Sequence, residues 1–458
     1  MGLESCRGKC YAETEAQWVR WNFPAVGSGL RGYGFLHTYL NSVVIRVKEW
    51  YNPLEVRISM IDKICNEIKG RLEREHIKKV GERELLLISS QYPGLWLEHV
   101  YDAVLYAKMD RSKVYLAKNT IEVFVEKQKD GQYPFNLTER NGEVTFGYSQ
   151  IQECVSFLSL ALEVSEMLCD PAFDKKVYDS GVEWISWLEN NRMTLKTGLV
   201  EMFVGFDTGH DNSGRLNGLL CKGNYTLPDG TRANAAVLPE GEKVAPIIAV
   251  DMNCNFFGDL MALSRFAKKL GLAHESLAWK EKAQKVKARL FEICYDKEDA
   301  FFYDVDRDGN KRTYLSSTIF HLFLEKLLDR ETDKALINEI YARHIKNENE
   351  FWTEYPFPSM AICDASCKSH ADLNCWGYYT QGLIVLRAIR WMDDYGMQSD
   401  FDYICRKWLE AWTDCFDDFK LGQELDPVTG KPTKSSQWYS SCMLMYLYAA
   451  QRLRKCDK

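Results

Sequence analysis

The sequence predicts an all-α protein, a single domain of six helical hairpins closed into an (α/α)6 toroid. Three observations predict it. Segments with apolar residues at i, i+3, i+4 and i+7 follow one another in pairs along the chain. Some of these segments are apolar nearly all round and others on one face only, as inner and outer rings require. No linker, charge block or fixed-period repeat divides them.

Residues 1–50 read as an N-terminal extension packing on the barrel, with a further helix near 35–50, and the barrel itself takes 51–458. Helices are expected at 56–77, 97–108, 112–128, 150–168 and 172–190. They continue at 250–271, 275–294, 315–328 and 331–345, and close with 374–395, 399–418 and 436–454. One pair shows the two ring characters side by side. Phe256, Phe257, Leu260 and Leu263 stud the first helix, and Lys280, Lys282, Lys285 and Lys287 the second. By the same test Val155 to Leu162 and Met443 to Ala450 are inner-ring segments. The connection 191–249 is far longer than a helix–helix link needs, and ordered loops of that length carry function more often than not.

Composition narrows the function. The 458 residues are 46% hydrophobic, enough for a large core, and the net charge of −7 comes from well-mixed charges. That pattern offers no basic face for a nucleic acid. No run approaches the roughly 18 apolar residues that span a bilayer, and Met1 to Arg20 lacks the apolar core of a signal peptide. A cytoplasmic protein without a membrane partner is expected. The fifteen cysteines, an odd number, fit that expectation, since on apolar helical faces a free thiol acts as a small hydrophobe. Cys6 and Cys10, and Cys363 and Cys367 with Cys375 nearby, do not match the common zinc spacings. No metal or cofactor is expected. The sequons at Asn136 and Asn224 mean little without a secretory route. Nothing identifies a patch for self-association.

Two loops carry the chemistry. Phe206-Asp207-Thr208-Gly209-His210-Asp211-Asn212-Ser213-Gly214-Arg215 sets two carboxylates four apart in a Gly-containing loop without apolar periodicity. About two hundred residues later comes Gln423-Glu424-Leu425-Asp426-Pro427-Val428-Thr429-Gly430. Inverting cleavage of a glycosidic bond needs one protonated carboxyl to donate to the leaving oxygen. It needs a second, ionised carboxyl to activate water on the opposite face, at a separation of roughly 6.5–9.5 Å. Asp211 and Glu424 are the candidates. Each also has a plain structural explanation, Asp211 as an Asx turn or helix cap and Glu424 as a solvated turn residue.

The first loop resembles the Trp-Asp-Ser-Gly-Met-Asp-Asn-Ser-Pro-Arg motif of the glycoside hydrolase family 63 group. That group includes processing α-glucosidases and small bacterial mannosylglycerate and glucosylglycerate hydrolases, and the related trehalases carry a similar loop. Tyr92-Pro93-Gly94-Leu95-Trp96-Leu97-Glu98 resembles the group's approach to an inner helix. Val250-Asp251-Met252-Asn253, Phe301 to Asp308, Pro358-Ser359 and Cys375-Trp376-Gly377 resemble later motifs in register. The resemblance implies that Asp211 is the general acid and that the Glu424 to Gly430 segment supplies the base. Departures are visible too. The group's base lies four residues before the turn proline, where this chain has Gln423, and Glu424 is three before. The group's Trp-Arg-Gly-Pro segment has lost its arginine here, and Gly214 replaces the proline before Arg215.

Other candidates surround these loops. Trp96, Glu98 and Gln423 belong to the resembling segments, and Gln152 stands at the start of an inner helix, at the cavity or on the surface. Trp376, Tyr379, Trp438 and Tyr439 either line a sugar pocket or fill the inner ring. Arg215 either clamps a substrate group or pairs with Asp207. The run Asp304-Val305-Asp306-Arg307-Asp308-Gly309 imitates half an EF-hand, but its twelfth position is Leu315, so a hairpin joining 301–303 to 312–314 explains it better than calcium.

The sequence therefore reads as an inverting, exo-acting α-glycosidase cutting a small glucoside or mannoside, with a disaccharide, short oligosaccharide or glycosyl-glycerate as substrate. Asp211 is kept protonated by partial burial and a neighbouring carboxylate, and Glu424 draws the proton from water. Asp207 and Arg215 orient the acid and bind sugar, while Trp376, Tyr379 and Trp438 shape the pocket. Two rivals remain. One is another chemistry on the same toroid, such as an epimerase or phosphorylase, for which only His210 and His370 lie near the candidate loops. The other is a non-catalytic carbohydrate-binding relative.

Overall fold

The computed structural model describes residues 53–90, 92–223, 234–368, 376–434 and 436–456. The extension 1–50, the helix expected near 35–50, and Cys6, Cys10, Asn224, His370 and Cys375 lie outside the described residues. The chain divides into two compact units, 1–58 and 59–458. The second holds both carboxylate loops.

That unit is mostly helical, and helix ends are set by local chemistry. Asp170 caps the helix Pro171–Asn191, its carboxylate accepting from Ala172 N (3.0 Å) and Phe173 N (3.3 Å), with Pro171 in the first turn. Ser156 Oγ accepts from Ser159 N (3.0 Å) and starts the helix Phe157–Leu168, which ends where Cys169 turns left-handed. The ring contrast holds. Helix Val250–Lys269 is buried on nearly every side. Its neighbour Ala273–Cys294 buries only Ala283, Val286, Leu290 and Cys294. Val155 to Leu162 and Met443 to Ala450 are likewise almost wholly buried.

The inner helices touch in chain order: Val100–Met109 packs on Phe157–Leu168, that on Val250–Lys269, and that on His321–Leu324. Helix Ser440–Cys456 packs on Gly382–Arg387 and returns to Val100–Met109. Ser441 Oγ, donating to Asp102 at 2.8 and 2.9 Å, fastens this last contact. No helix among the described residues is long and apolar enough to cross a membrane.

Several expected helices are shorter than their apolar spacing suggests. Residues 150–156 are not helical, and Gln152 has φ +51°. Ile151 and Val155 fit the helical period but are buried in irregular chain. The segment 315–328 holds a 3-10 turn, Ser317–Phe320, and one α turn, His321–Leu324. The segment 331–345 is α-helical over Lys334–Ile340 and then a π turn. The helix expected at 374–395 is reduced to Gly382–Arg387 and a 3-10 turn, because Thr380–Gln381 leaves to pair as a strand with Glu424–Leu425.

The all-α expectation also omits small sheets. Two matter for the site. Glu201–Met202 pairs antiparallel with Ile247–Ile248 and so clasps the long connection at its base. Gly94–Trp96, Asn136–Arg140 and Glu143–Gly147 form a three-stranded sheet leading into Glu98. The hairpin expected between 301–303 and 312–314 sits slightly inward, with Asp304 opposite Arg312. Asp306 Oδ1 accepts from Asp308 N (3.0 Å) and Asn310 N (2.9 Å), so the acidic run is a turn.

Candidate active site

The Asp207–Arg215 loop is held from beneath. Asp207 is fully buried, and its two oxygens accept from Ile151 N (2.9 Å), Phe203 N (2.9 Å), Val204 N (3.1 Å) and both terminal nitrogens of Arg192 (2.7 and 3.1 Å). A carboxylate has about four lone-pair positions. Five donors fill it, so Asp207 anchors the loop instead of binding sugar. Removing the guanidinium would strand a buried charge. Arg192→Met is expected to lose about 3–5 kcal/mol in urea unfolding, with part recovered in the Arg192→Met/Asp207→Leu double variant.

Arg215 does not pair with Asp207. It grips Asp251 through both terminal nitrogens (2.7 and 3.1 Å), reaches Asp304 (3.1 Å) and donates to His210 Nδ1 (3.1 Å). Burial acts to raise the Asp251 carboxyl, but the guanidinium outweighs it and holds it well below the usual range. His210, Asp251 and His321 bring ligand-type atoms within 4.8 Å of one another. Arg215 already occupies both Asp251 oxygens and His210 Nδ1, so the set does not suit a metal ion. Buried at 1% exposure, Arg215 supports the loop from within.

On this support stands Asp211. Gly209 turns left-handed at φ +69°, and a Cβ there would lie 2.5 Å from Glu98 Oε2, so only glycine lets the loop pass so close to that carboxyl. His210 stacks on Trp376 (centroids 4.7 Å apart, 17° between planes), and Trp376 N donates to the Asp211 carbonyl (3.1 Å). Asp211 itself is half-buried, and its Oδ1 meets no hydrogen-bond donor among the described residues. Burial raises its pKa to about 7, against the opposing pull of Lys222. Lys222 is steered by Asn212 Oδ1 at 2.7 Å.

Glu98 forms a second raised carboxyl beside it. Burial lifts it to about 7, Arg387 opposes that and Asp211 adds to it. Gln152 Nε2 donates to Glu98 Oε1 (3.2 Å), and Gln150 Nε2 donates to Gln152 Oε1 (2.7 Å), so Gln152 faces inward. Trp96 ends the strand before Glu98 and meets Tyr92 edge-on at 5.9 Å.

The base loop joins through the segment 376–381. Gln381 stands opposite Glu424 in the strand pair, and its Nε2 donates to Glu424 Oε2, while Thr433 Oγ1 donates to Oε1 (2.9 Å). Glu424 is 2% exposed. One short segment thus touches both loops, through Trp376 at Asp211 and Gln381 at Glu424. The Gln423 carbonyl accepts from Gly382 N (2.9 Å). The Tyr379 carbonyl accepts from Ser359 N and Oγ (3.0 Å each), and its ring meets Tyr378. Trp438 lies elsewhere. Arg71 sits 4.0 Å above its ring, Phe416 meets its edge, and no described contact takes it to the Asp211 loop. Tyr439 is core, its hydroxyl bonded to His99 Nε2 (2.5 Å).

Arg192, Gln381, Thr433 and Arg387 are the residues sequence reasoning misses. Thr380-Gln381-Gly382 before an apolar run is the only local cue for Gln381, and Arg387 is a single cation in that run.

Burial of the Asp211 carboxyl makes stability depend on pH. Its folded pKa of about 7 exceeds the ordinary aspartate value of 3.8, so the folded chain holds this proton more tightly. Its stabilising share is full below about pH 4 and lost as pH rises through 7. Asp211→Asn is therefore expected to melt about 1–3 °C above the wild type at pH 8 and together with it at pH 4.

A family model described as the mannosylglycerate hydrolase MGH1-like glycoside hydrolase domain matches residues 106–438. The mannosylglycerate hydrolase of Thermus thermophilus, solved in complex with glucose, is similar at 15% identity, with 84% of this chain and 98% of that one covered and a TM-score of 0.62. The neutral trehalase of Saccharomyces cerevisiae is similar at 15% identity over 86% and 82% of the two chains, with a TM-score of 0.59. A rhamnosidase from Klebsiella oxytoca with rhamnose bound is similar at 11% identity over 86% and 64%, with a TM-score of 0.54. At these identities the likenesses show the fold. No curated protein sequence matches.

Proposed function

The chain belongs to the mannosylglycerate hydrolase MGH1-like glycoside hydrolase family, and we propose that this member is an inverting, exo-acting α-glycosidase cutting a small α-glucoside or α-mannoside. Asp211, protonated, gives its proton to the glycosidic oxygen as the C1–O bond breaks. Glu424 takes a proton from the water that forms the new C1–OH bond on the opposite face. The observation that carries this reading is the Asp211 carboxyl, half-buried, raised to about 7 and with an unpartnered Oδ1. An acid that works near neutral pH needs that combination. In support, Gln381 and Thr433 fix both oxygens of Glu424.

We read the body as six hairpins over 51–458, with the 191–249 connection as the active-site loop. Trp96, Glu98, Gln152, Trp376, Tyr379 and Gln423 take the binding roles, while Trp438, its ring covered by Arg71, takes none. A disaccharide, short oligosaccharide or glycosyl-glycerate is the substrate, met in the cytoplasm. The epimerase alternative needs a histidine that titrates near neutrality. Among the described residues, burial holds His210 well below that range and lowers His99 and His321 to about 3, which disfavours it.

Incubation with α-linked glucosides, mannosides, short oligosaccharides and glycosyl-glycerates, followed by reducing-sugar assay, tests the reading. Release from at least one member is expected. Sugar binding without release from any member would favour a non-catalytic relative.

A further inference from the structure

Helix Gly382–Arg387 ends in a cation that neither carboxylate loop uses. Arg387 is 4% exposed, and none of its three guanidinium nitrogens has a hydrogen-bond partner among the described residues. A guanidinium presents five N–H donors in a rigid fork, and burying it without acceptors is strongly unfavourable. Other buried arginines of this fold are paired. Arg192 bonds Asp207 at 2.7 Å and Arg215 bonds Asp251 at 2.7 Å.

The surroundings of Arg387 are those of the candidate site. Its Nη2 lies 3.9 Å from Glu98 Oε2, outside hydrogen-bond reach. The guanidinium is 5.8 Å from the centre of the Trp376 ring, the ring that stacks on His210 beside Asp211. Glu98 in turn lies against the backbone of the acid loop at Gly209. A fork of donors and a carboxyl side by side, too far apart to satisfy each other, match a ligand that both accepts and donates.

We propose that Arg387 and Glu98 clamp two neighbouring hydroxyls of the bound sugar ring, Arg387 donating to one oxygen and Glu98 accepting from the next. The proposal rests on the glycosidase reading and names the residues that select the sugar. A diol fits this pair better than an acidic sugar, whose carboxylate would face Glu98.

Calorimetric titration of the full chain with glucose, mannose and their singly deoxygenated analogues tests the clamp. In the wild type, deleting one clamped hydroxyl is expected to weaken binding roughly 10–100-fold. In Arg387→Met the parent sugar is weakened by a similar factor, and deleting the hydroxyl that meets Arg387 weakens it no further. Arg387→Lys, which keeps the charge without the fork, falls between. Such non-additivity is not produced by a residue that only supports the fold. If Arg387→Met does not fold, Glu98→Ala, which removes the acceptor, makes the same test at the adjacent hydroxyl. Discrimination as sharp in the variants as in the wild type overturns the clamp and leaves the glycosidase reading standing. A wild type that binds neither sugar overturns both.

Discussion

Asp211→Asn is expected to lower kcat on an unactivated glycoside by roughly a hundred- to ten-thousandfold, while sugar binding persists. The variant keeps the side chain's shape but has no proton to give. Two further measurements separate a lost acid from a disturbed loop. A substrate whose leaving group departs without protonation, such as a glycosyl fluoride, should be cut by the variant at a rate much closer to wild type. The alkaline fall of kcat/KM near pH 7, set in the wild type by the Asp211 carboxyl of the free enzyme, should disappear. An equal loss on both substrates would remove Asp211 from the acid role, because a misplaced loop slows every substrate alike.

Glu424→Ala is expected to cause a loss of similar size, since the attacking water then has no acceptor for its proton. Here the informative result is rescue. Azide needs no deprotonation, so millimolar azide should restore turnover on a glycosyl fluoride and yield the glycosyl azide of inverted configuration. Gln423→Ala tests the neighbouring position, where the resembling group keeps its base. In this chain Gln423 offers its backbone carbonyl to Gly382 N, and its side chain is an amide that cannot act as a base. That variant should change kcat less than about tenfold. Azide rescue of neither variant would move the base to another carboxyl.

Much of this was readable from the chain because it depends on long or local patterns. Fifteen or more residues of regular apolar spacing locate helices such as Val250–Lys269 and Ala273–Cys294 almost to their ends. Asp211 and Glu424 announce themselves as carboxylates in Gly-rich or Pro-containing turns. Partner choice is not local. Spacing suggests that Asp207 pairs with Arg215, yet Arg192 reaches Asp207 from 15 residues away and Asp251 takes Arg215 from 36. The strand clasp Glu201–Met202/Ile247–Ile248 at the base of the same connection is equally hidden, because strands of two residues have no period to detect. The same limit hides Thr380–Gln381, whose pairing cuts short an expected helix and brings Gln381 to Glu424. Trp438 and Trp376 show it for aromatics. Each is a tryptophan beside a candidate loop, but only Trp376 touches the Asp211 loop, and Trp438 is capped by Arg71.

The most direct test of a two-carboxylate inversion with Asp211 as acid and Glu424 as base is the configuration of the first product. Proton NMR of the anomeric signals, recorded within minutes of adding enzyme to a cleaved α-glycoside, reads it before mutarotation. The β-anomer is expected to appear first, with the α-anomer growing in later. Initial release of the α-anomer would mean retention through a covalent intermediate, and would contradict the roles of both carboxyls.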